Sequence, residues 1–436
     1  MKIVDWKTSS TDARRAALAR PAAESRDEVF RQAASIIAAV RAEGDAAVRR
    51  FTAQFGGASL ENLRASTEEF REARAALSSV QIAALERAVT NVARFHEAQV
   101  SAPLSVETMP GVRCERITRP IDSVGLYVPA GSAPLPSTAI MLAVPARIAG
   151  CKARAIASSP GPDGKLHAAV LVAAELCGVD TVYKMGGAQA IAALAFGTQT
   201  VRKVDKIFGP GSAWVTAAKQ IIAADPAGAA IDLPAGPSEV LVIADESADA
   251  RFVAADLLAQ AEHDTIAQVI LVTDSARLAR EVSAEVDTQA RSLSRRDIVA
   301  ESMSGSRCIL VADLDAAVEV SNEYAPEHLI IQTRDPRALL ARVTCAGSVF
   351  LGAWSPESMG DYCSGTNHVL PTFGYARSYS GVSLLDYQKR ITVQELSADG
   401  LRALGPTAVT LSGMEGLDAH GNAVTIRLEA LARGAT

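Results

Sequence analysis

The sequence predicts a parallel α/β protein built as two lobes, with helices ahead of them and a helical tail behind. Three observations predict it. Nine short β-branched runs begin near residue 122 and alternate with helical stretches, the order that generates parallel sheets. The runs fall into two groups on either side of a hinge-like stretch, DLPAGPSE, residues 232 to 239. Residues 24 to 100 follow a helical period instead, and after about 382 the strand pattern breaks up.

In chain order, MKIVDWKTSSTDARRAALARP lacks the uninterrupted apolar stretch of a signal peptide, and apolar windows elsewhere are broken by Pro, Gly or Arg short of a membrane span. A cytosolic protein with no membrane partner is expected, opening on a helical segment over residues 1 to 22. In SRDEVFRQAASIIAAVRAEGDAAVRRFTAQF, Val29, Ala33, Ile36, Ile37 and Val40 recur at helical spacing and predict a packing layer. The first lobe's strands are SVGLYV, ARAIAS, TVYKM and KVDKIF; the second lobe's are EVLVIA, QVILVT, RCILVA, HLIIQT and GSVFL. The chain closes on a tail ending MEGLDAHGNAVTIRLEAL.

Length and composition agree with this. A chain of 436 residues suggests about three domains, and 49% hydrophobic with 21% charged residues is a globular composition. The net charge of −6 is spread along the chain without a basic, aromatic-laced patch, so nucleic acid is not expected as a partner. Six cysteines stand at 114, 151, 177, 308, 345 and 363 with no CxxC, and imply no disulfide framework.

Three junctions in the first group of strands share one form, strand, glycine-containing turn, helix: GLYVPAGSAPLPST, YKMGGAQAIAALAFG and KIFGPGSAWVTAAK. Each sets free backbone N–H groups at a strand's C-terminal edge, where a helix dipole favours an anion such as a pyrophosphate. None is GxGxxG, and such glycines often serve only turn geometry.

Of six histidines, His96 and His167 read as surface residues, whereas His263, His328, His368 and His420 stand beside acids, glycines or amides. In FVAADLLAQAEHD the helical period sets Gln260 and His263 on one face, so an amide oxygen and an imidazole nitrogen can converge on a divalent cation. Asp361, next to a glycine in SPESMGDYCSGTNHVLP, offers a carboxylate, and His420 a second imidazole. This mixed N/O set suits Zn2+. In YAPEHLII, Glu327 and His328 are neighbours on an extended segment, so they are expected to face opposite ways and to find separate partners.

DLPAGPSEVLVIAD, LLAQAEH, EYAPEHLIIQT, GSVFLGAWSPESMGDYCSGTNHVLPT and LDAHGNAV, in this order, resemble the histidinol dehydrogenase family, zinc enzymes that end histidine biosynthesis. The resemblance covers nearly the whole chain and is weakest in the first hundred residues and in 281 to 306. It implies two Rossmann-like lobes: 23–126 plus 238–382 carrying zinc and the acid/base residues, and 127–237 binding NAD. Residues 383–436 are then a tail domain reaching a partner subunit. By resemblance Gln260, His263, Asp361 and His420 bind one zinc per subunit and touch substrate, Glu327 and His328 exchange protons, and His328, Ser238, His368 and Glu415 hold the amino alcohol. The family is homodimeric, which implies that Glu415 and His420 act in trans.

Tyr127, Gln189 and Ser212 are the implied NAD contacts. At the last of these the family usually reads GPGN where this chain has GPGS, so a shorter hydroxyl replaces an amide. The implied reaction takes L-histidinol through the aldehyde to L-histidine with two NAD+ and one water. Two rivals are a thiohemiacetal route through Cys114 or Cys151, which lack an obvious base partner, and a nucleotide-binding regulator, which would leave some of these positions blank.

Overall fold

The computed structural model describes residues 1–21, 26–130, 133–234 and 236–434. The chain forms two units, Met1–Gln99 with Ile121–Tyr387, and Val100–Pro120 with the chain from Gln388 onward. The first unit opens on β1 (Lys2–Asp5) and α1 (Thr11–Ala17). Four helices follow, α2 (Arg26–Glu43), α3 (Asp45–Gly56), α4 (Thr67–Ala76) and α5 (Ser79–Glu97). Ser66 and Ser78 start α4 and α5 through capping boxes closed by Glu69 and Gln81, so two orphan N–H groups at each end are satisfied reciprocally. The strands β2 (Leu104–Met109) and β3 (Val112–Pro120) belong to the second unit.

A first parallel sheet comes from β4 (Ser123–Val128), α6 (Pro136–Ala149), β5 (Ala153–Ser158), α7 (Ala168–Leu176), β6 (Thr181–Lys184), α8 (Gly187–Phe196), β7 (Lys206–Phe208), α9 (Ala213–Ala224) and β8 (Ala230–Ile231). Its strand order is β6-β5-β4-β7-β8. The second comprises β9 (Glu239–Ala244), α10 (Ala250–Ala261), β10 (Gln268–Thr273), α11 (Ala276–Ala290), α12 (Arg296–Ser304), β11 (Arg307–Leu310), α13 (Leu314–Tyr324), β12 (His328–Gln332), α14 (Pro336–Leu340) and β13 (Ser348–Leu351), in the order β1-β11-β10-β9-β12-β13. The short helix α15 (Glu357–Tyr362) follows it. Both sheets are doubly wound, with strand order reversing between β4 and β7 in one and between β9 and β12 in the other. Strands β4, β9, β10 and β12 are buried throughout, as their unbroken apolar runs require of sheets covered on both faces.

Side chains alternate across each sheet. Val124, Leu126 and Val128 pack into one layer with α4 to α7, and Tyr127 into the opposite one with α2, α3, α8 and α9. The stripe Val29, Ala33, Ile36, Ile37 and Val40 is buried there as a packing layer. Helices α2 to α5 thus clothe the first sheet, whereas residues 23–126 were expected with the second. A helix's apolar stripe says that it packs, not on which sheet. The N-terminal segment is also not wholly helical, since β1 completes the second sheet by pairing in parallel with β11. His96, expected at the surface, is buried, and its Nδ1–H donates to the Val92 carbonyl at 2.8 Å while Phe95 turns outward.

The second unit joins segments distant in sequence. β14 (Gln388–Leu396) runs antiparallel along the whole of β3, from Gln388 opposite Pro120 to Leu396 opposite Val112, and β2 flanks β3 on its other side. Two helices, α16 (Ala398–Met414) and α17 (Asp418–Ala432), pack on each other after it. The tail therefore begins with a strand rather than a helix, and it recruits residues 100 to 120.

Within the second sheet's lobe, Asp256 is buried on α10 and accepts one hydrogen bond, from Gln332 Nε2 at 2.6 Å. Burial pushes its carboxyl up to about 7. A carboxyl raised in this way contributes its full stability below the unfolded value near 4 and loses it as pH rises through about 7. Asp256→Asn should thus unfold at higher denaturant than the parent at pH 8. The advantage should shrink by roughly 2–3 kcal/mol on going to pH 5, and a pH-independent difference in urea titrations would refute the assignment.

Candidate active site

The acid and imidazole residues gather at the N-terminal edge of the second sheet. Helix α10 runs back from β9 toward the start of β10, so its last turn brings Gln260 and His263 to the edge where β9 and β12 begin. At that edge Glu239 opens β9 and His328 opens β12, as neighbours in the sheet. The loop after β13 returns to the same edge and starts α15, which presents Glu357 and Asp361 on one face at i, i+4.

The corner carrying Glu327 and His328 is set by Ala325, which caps α13 in the left-handed region at φ 54° and is followed by Pro326. Such a conformation costs a non-glycine residue about 1 kcal/mol or more and persists only where its surroundings impose it. Gly347 lets β13 approach, since a Cβ there would stand 2.6 Å from the Glu327 carbonyl oxygen. Because Glu327 precedes the strand, the expected alternation fails. Its Oε2 lies 3.6 Å from His328 Nδ1, so the two side chains are close together rather than opposed.

Glu239 holds both through its backbone. Its N–H donates to Glu327 Oε2 at 2.9 Å, and its carbonyl, 3.1 Å from His328 Nδ1, can only accept. Nδ1 therefore carries the ring hydrogen in the neutral tautomer, leaving the Nε2 lone pair free. Buried Nε2 has no hydrogen-bond partner and faces Asp361 Oδ1 at 3.6 Å. Arg20 in turn clamps the Glu239 carboxylate with both ends of its guanidinium fork. Burial pushes the Glu327 carboxyl up to about 8. Burial alone would lower the His328 pKa, but Glu357, Glu327 and Asp361 around the ring raise it well above the ordinary imidazole value. Nε2 is therefore open to take a proton only when that carboxylate charge is offset, as a bound cation would do.

Donor atoms of His263, Glu357 and Asp361 all lie within 4.8 Å of one another, a spacing that suits a single cation. The Gln260 amide borders the same cluster, its nitrogen toward Glu357. His368 is occupied at both nitrogens, Nδ1 donating to the Asp361 carbonyl at 2.8 Å and Nε2 meeting the Thr138 hydroxyl at 3.1 Å. Ser238 is half-buried directly ahead of Glu239. Glu415 caps α16 and His420 lies in the first turn of α17; both are exposed residues of the second unit.

Tyr127, Gln189 and Ser212 occupy the C-terminal edge of the first sheet. Tyr127 ends near the top of β4, where its hydroxyl accepts the Gly187 N–H at 3.0 Å at the start of α8. Gln189, in the first turn of α8, is buried with Oε1 unpartnered. Ser212 is the N-cap of α9 yet makes no side-chain capping bond, and it is exposed. Of the three glycine junctions, Gly131 and Ser132 in the first lie outside the described residues.

Between Tyr127 and Ser212, Gly209 sits at φ 121°, and a Cβ there would meet the Tyr127 carbonyl at 2.1 Å. Its N–H donates to Asp232 Oδ2 at 2.7 Å and its carbonyl accepts from Lys219 Nζ at 2.8 Å, while Lys219 and Asp232 also pair directly. This ion pair is almost wholly buried, at 5% and 0% exposure. Removing one partner strands the other: Lys219→Met should cost roughly 3–5 kcal/mol in urea unfolding, and adding Asp232→Asn should recover part of it.

Glu239, Glu357, Arg20 and the Lys219–Asp232 pair escaped the sequence reading. The four-residue spacing of Glu357 and Asp361 in PESMGD was the available signal. The thiol alternatives gain no support: Cys151 is buried with its pKa pushed up to about 11, and Cys114 lies on β3 in the second unit.

Two doubly wound sheets, one with a glycine-lined switch point and the other edged by a buried acid/imidazole cluster, define a two-lobed α/β protein with groups suited to proton transfer. The family model described as histidinol dehydrogenase matches residues 19–428. Histidinol dehydrogenases of Vibrio cholerae and Xanthomonas oryzae are 54% and 55% identical, the alignments covering 99% and 98% of this chain and 99% of each relative. The crystal structure of histidinol dehydrogenase from Elizabethkingia anophelis superposes with a TM-score of 0.94 at 43% identity over 99% of both chains. The chain belongs to the histidinol dehydrogenase family and is an NAD-dependent oxidoreductase. Among the described residues no helix is long and apolar enough to cross a membrane.

Proposed function

We propose that this enzyme oxidises L-histidinol through L-histidinaldehyde to L-histidine, consuming two NAD+ and one water, in the last steps of L-histidine biosynthesis. The observation that carries the reading is the unpartnered Nε2 of buried His328 beside Glu327 and the Gln260, His263, Glu357 and Asp361 cluster. In the first step Nε2 takes the alcohol proton as hydride leaves for the nicotinamide. In the second, Glu327 takes a proton from the water that hydrates the aldehyde, after which the hydrate loses the second hydride.

A mixed imidazole, carboxylate and amide set fits Zn2+, and Gln260, His263 and Asp361 are proposed as ligands, with His420 of a second copy as the fourth. When bound, zinc supplies a fixed positive charge that orients the substrate's nitrogen donors. Ser238, His328, His368 and Glu415 are proposed to line the amino alcohol with these ligands. NAD supplies the hydride acceptor; the switch point, the unpartnered Gln189 Oε1 and the Ser212 hydroxyl, which makes no capping bond, support its placement with Tyr127 in the first lobe.

A homodimer with shared sites is part of the proposal. Exposed Leu411, Met414 and Leu417 beside Glu415 and His420 form an apolar face suited to a second copy of this chain. Six free cysteines suit a reducing, cytoplasmic setting. The test is an NAD-linked assay with L-histidinol before and after chelation. Activity lost with the metal and restored by zinc is the expected result, and full turnover after complete metal removal would exclude the zinc reading.

A further inference from the structure

The geometry points to Glu357 as a positioning residue that locks the Gln260 amide with its oxygen presented to the metal. This rests on the reading of Gln260 as a zinc ligand. The end of the Gln260 amide that faces Glu357 lies 2.5 and 3.0 Å from its two carboxylate oxygens and 3.2 Å from His328 Nδ1, and only the nitrogen can donate there. The opposite orientation would set an amide oxygen against two carboxylate oxygens, so hydrogen bonding fixes which end faces Glu357. With the nitrogen engaged, the oxygen on the far side of the amide carbon is the end left for a cation.

An amide is a weak ligand, because it is uncharged and its two ends exchange places by rotation about χ3. A carboxylate that accepts only from the nitrogen end removes that freedom and polarises the carbonyl toward the ion. Glu357 is built for this: it is 2% exposed and stands at the first position of α15, one turn ahead of Asp361. One short helix thus supplies a carboxylate for the ion and a carboxylate for the ion's neutral ligand. Glu357 also lies 4.0 Å from His328 Nδ1, which ties the metal cluster to the proton-transfer residue. Its proximity to His263 and Asp361 leaves direct ligation as the competing role, but both of its oxygens already accept from Gln260.

A double-mutant cycle on zinc affinity, read by competition with a chromogenic chelator, separates the two roles. Glu357→Gln should weaken zinc binding about 10- to 100-fold in the native background and leave it unchanged in a Gln260→Ala background. The visible bands of the cobalt-substituted Glu357→Gln protein should keep their wild-type positions. Equal weakening in both backgrounds, unaltered affinity, or shifted cobalt bands would each overturn the inference. If Gln260→Ala alone leaves zinc affinity untouched, the ligand assignment falls first and the inference with it. Should Glu357→Gln fail to fold, Glu357→Asp, which retracts the carboxylate by one methylene, should reproduce the loss and its dependence on Gln260.

Discussion

Replacing His328 with Asn should lower kcat for L-histidinol roughly 10^2- to 10^4-fold, the usual scale for a lost general base, with zinc content and fold retained. The Asn amide can still donate to the Glu239 carbonyl, which His328 Nδ1 now meets at 3.1 Å, so the β9–β12 junction keeps its bond. What disappears is the Nε2 lone pair. Glu327→Gln is the companion, since its amide oxygen can still accept the Glu239 N–H. It should spare oxidation of L-histidinol to the aldehyde far more than oxidation of the aldehyde. Because burial raises the Glu327 carboxyl to about 8, its basic form is lost as pH falls, and aldehyde oxidation by the parent should fall with it. Bound zinc, a nearby positive charge, moves that midpoint downward. Stopped-flow measurement of the two NADH phases decides the assignment; equal damage to both phases by Glu327→Gln would reject it.

A second large effect concerns the tail. His263→Ala and His420→Ala should each reduce turnover roughly 10^3-fold or more, the scale of several kcal/mol that a bound cation contributes. If His420 serves the other subunit, mixing the two inactive proteins under conditions of subunit exchange should restore roughly a quarter of wild-type activity. About half of the dimers are then mixed, and each mixed dimer has one site carrying both lesions and one carrying neither. Mixed dimers seen by native mass spectrometry without any regain of turnover would place His420 in its own subunit's site.

The parallel core was legible because its central strands β4, β9, β10 and β12 are buried on both faces and carry apolar runs, and each of the nine runs read as strands contains one. The strands that escaped lack that constraint. β2 and β14 are exposed along almost their whole length, so their sequences carry no apolar run, and β1 is a short strand at a sheet edge. The candidate site was legible where an imidazole stood beside an acid or amide in sequence. It was opaque where burial alone gives a residue its meaning: Glu357 reads as a turn glutamate, and Arg20 as one more charge on a basic helix. The Glu327/His328 expectation failed because a left-handed corner at Ala325 replaced the extended geometry that it assumed.

The pairing of β3 with β14 sets an order on the birth of the molecule. During synthesis the β2–β3 hairpin emerges early and waits, one edge unsatisfied, until nearly the entire polypeptide has left the ribosome and the strand opposite Pro120 to Val112 arrives. Nascent chains stalled before residue 388 would carry both finished sheets and an open ribbon, ready to pair with the wrong neighbour. The completed ribbon is thus a seal that closes only once residues 388–396 have been made.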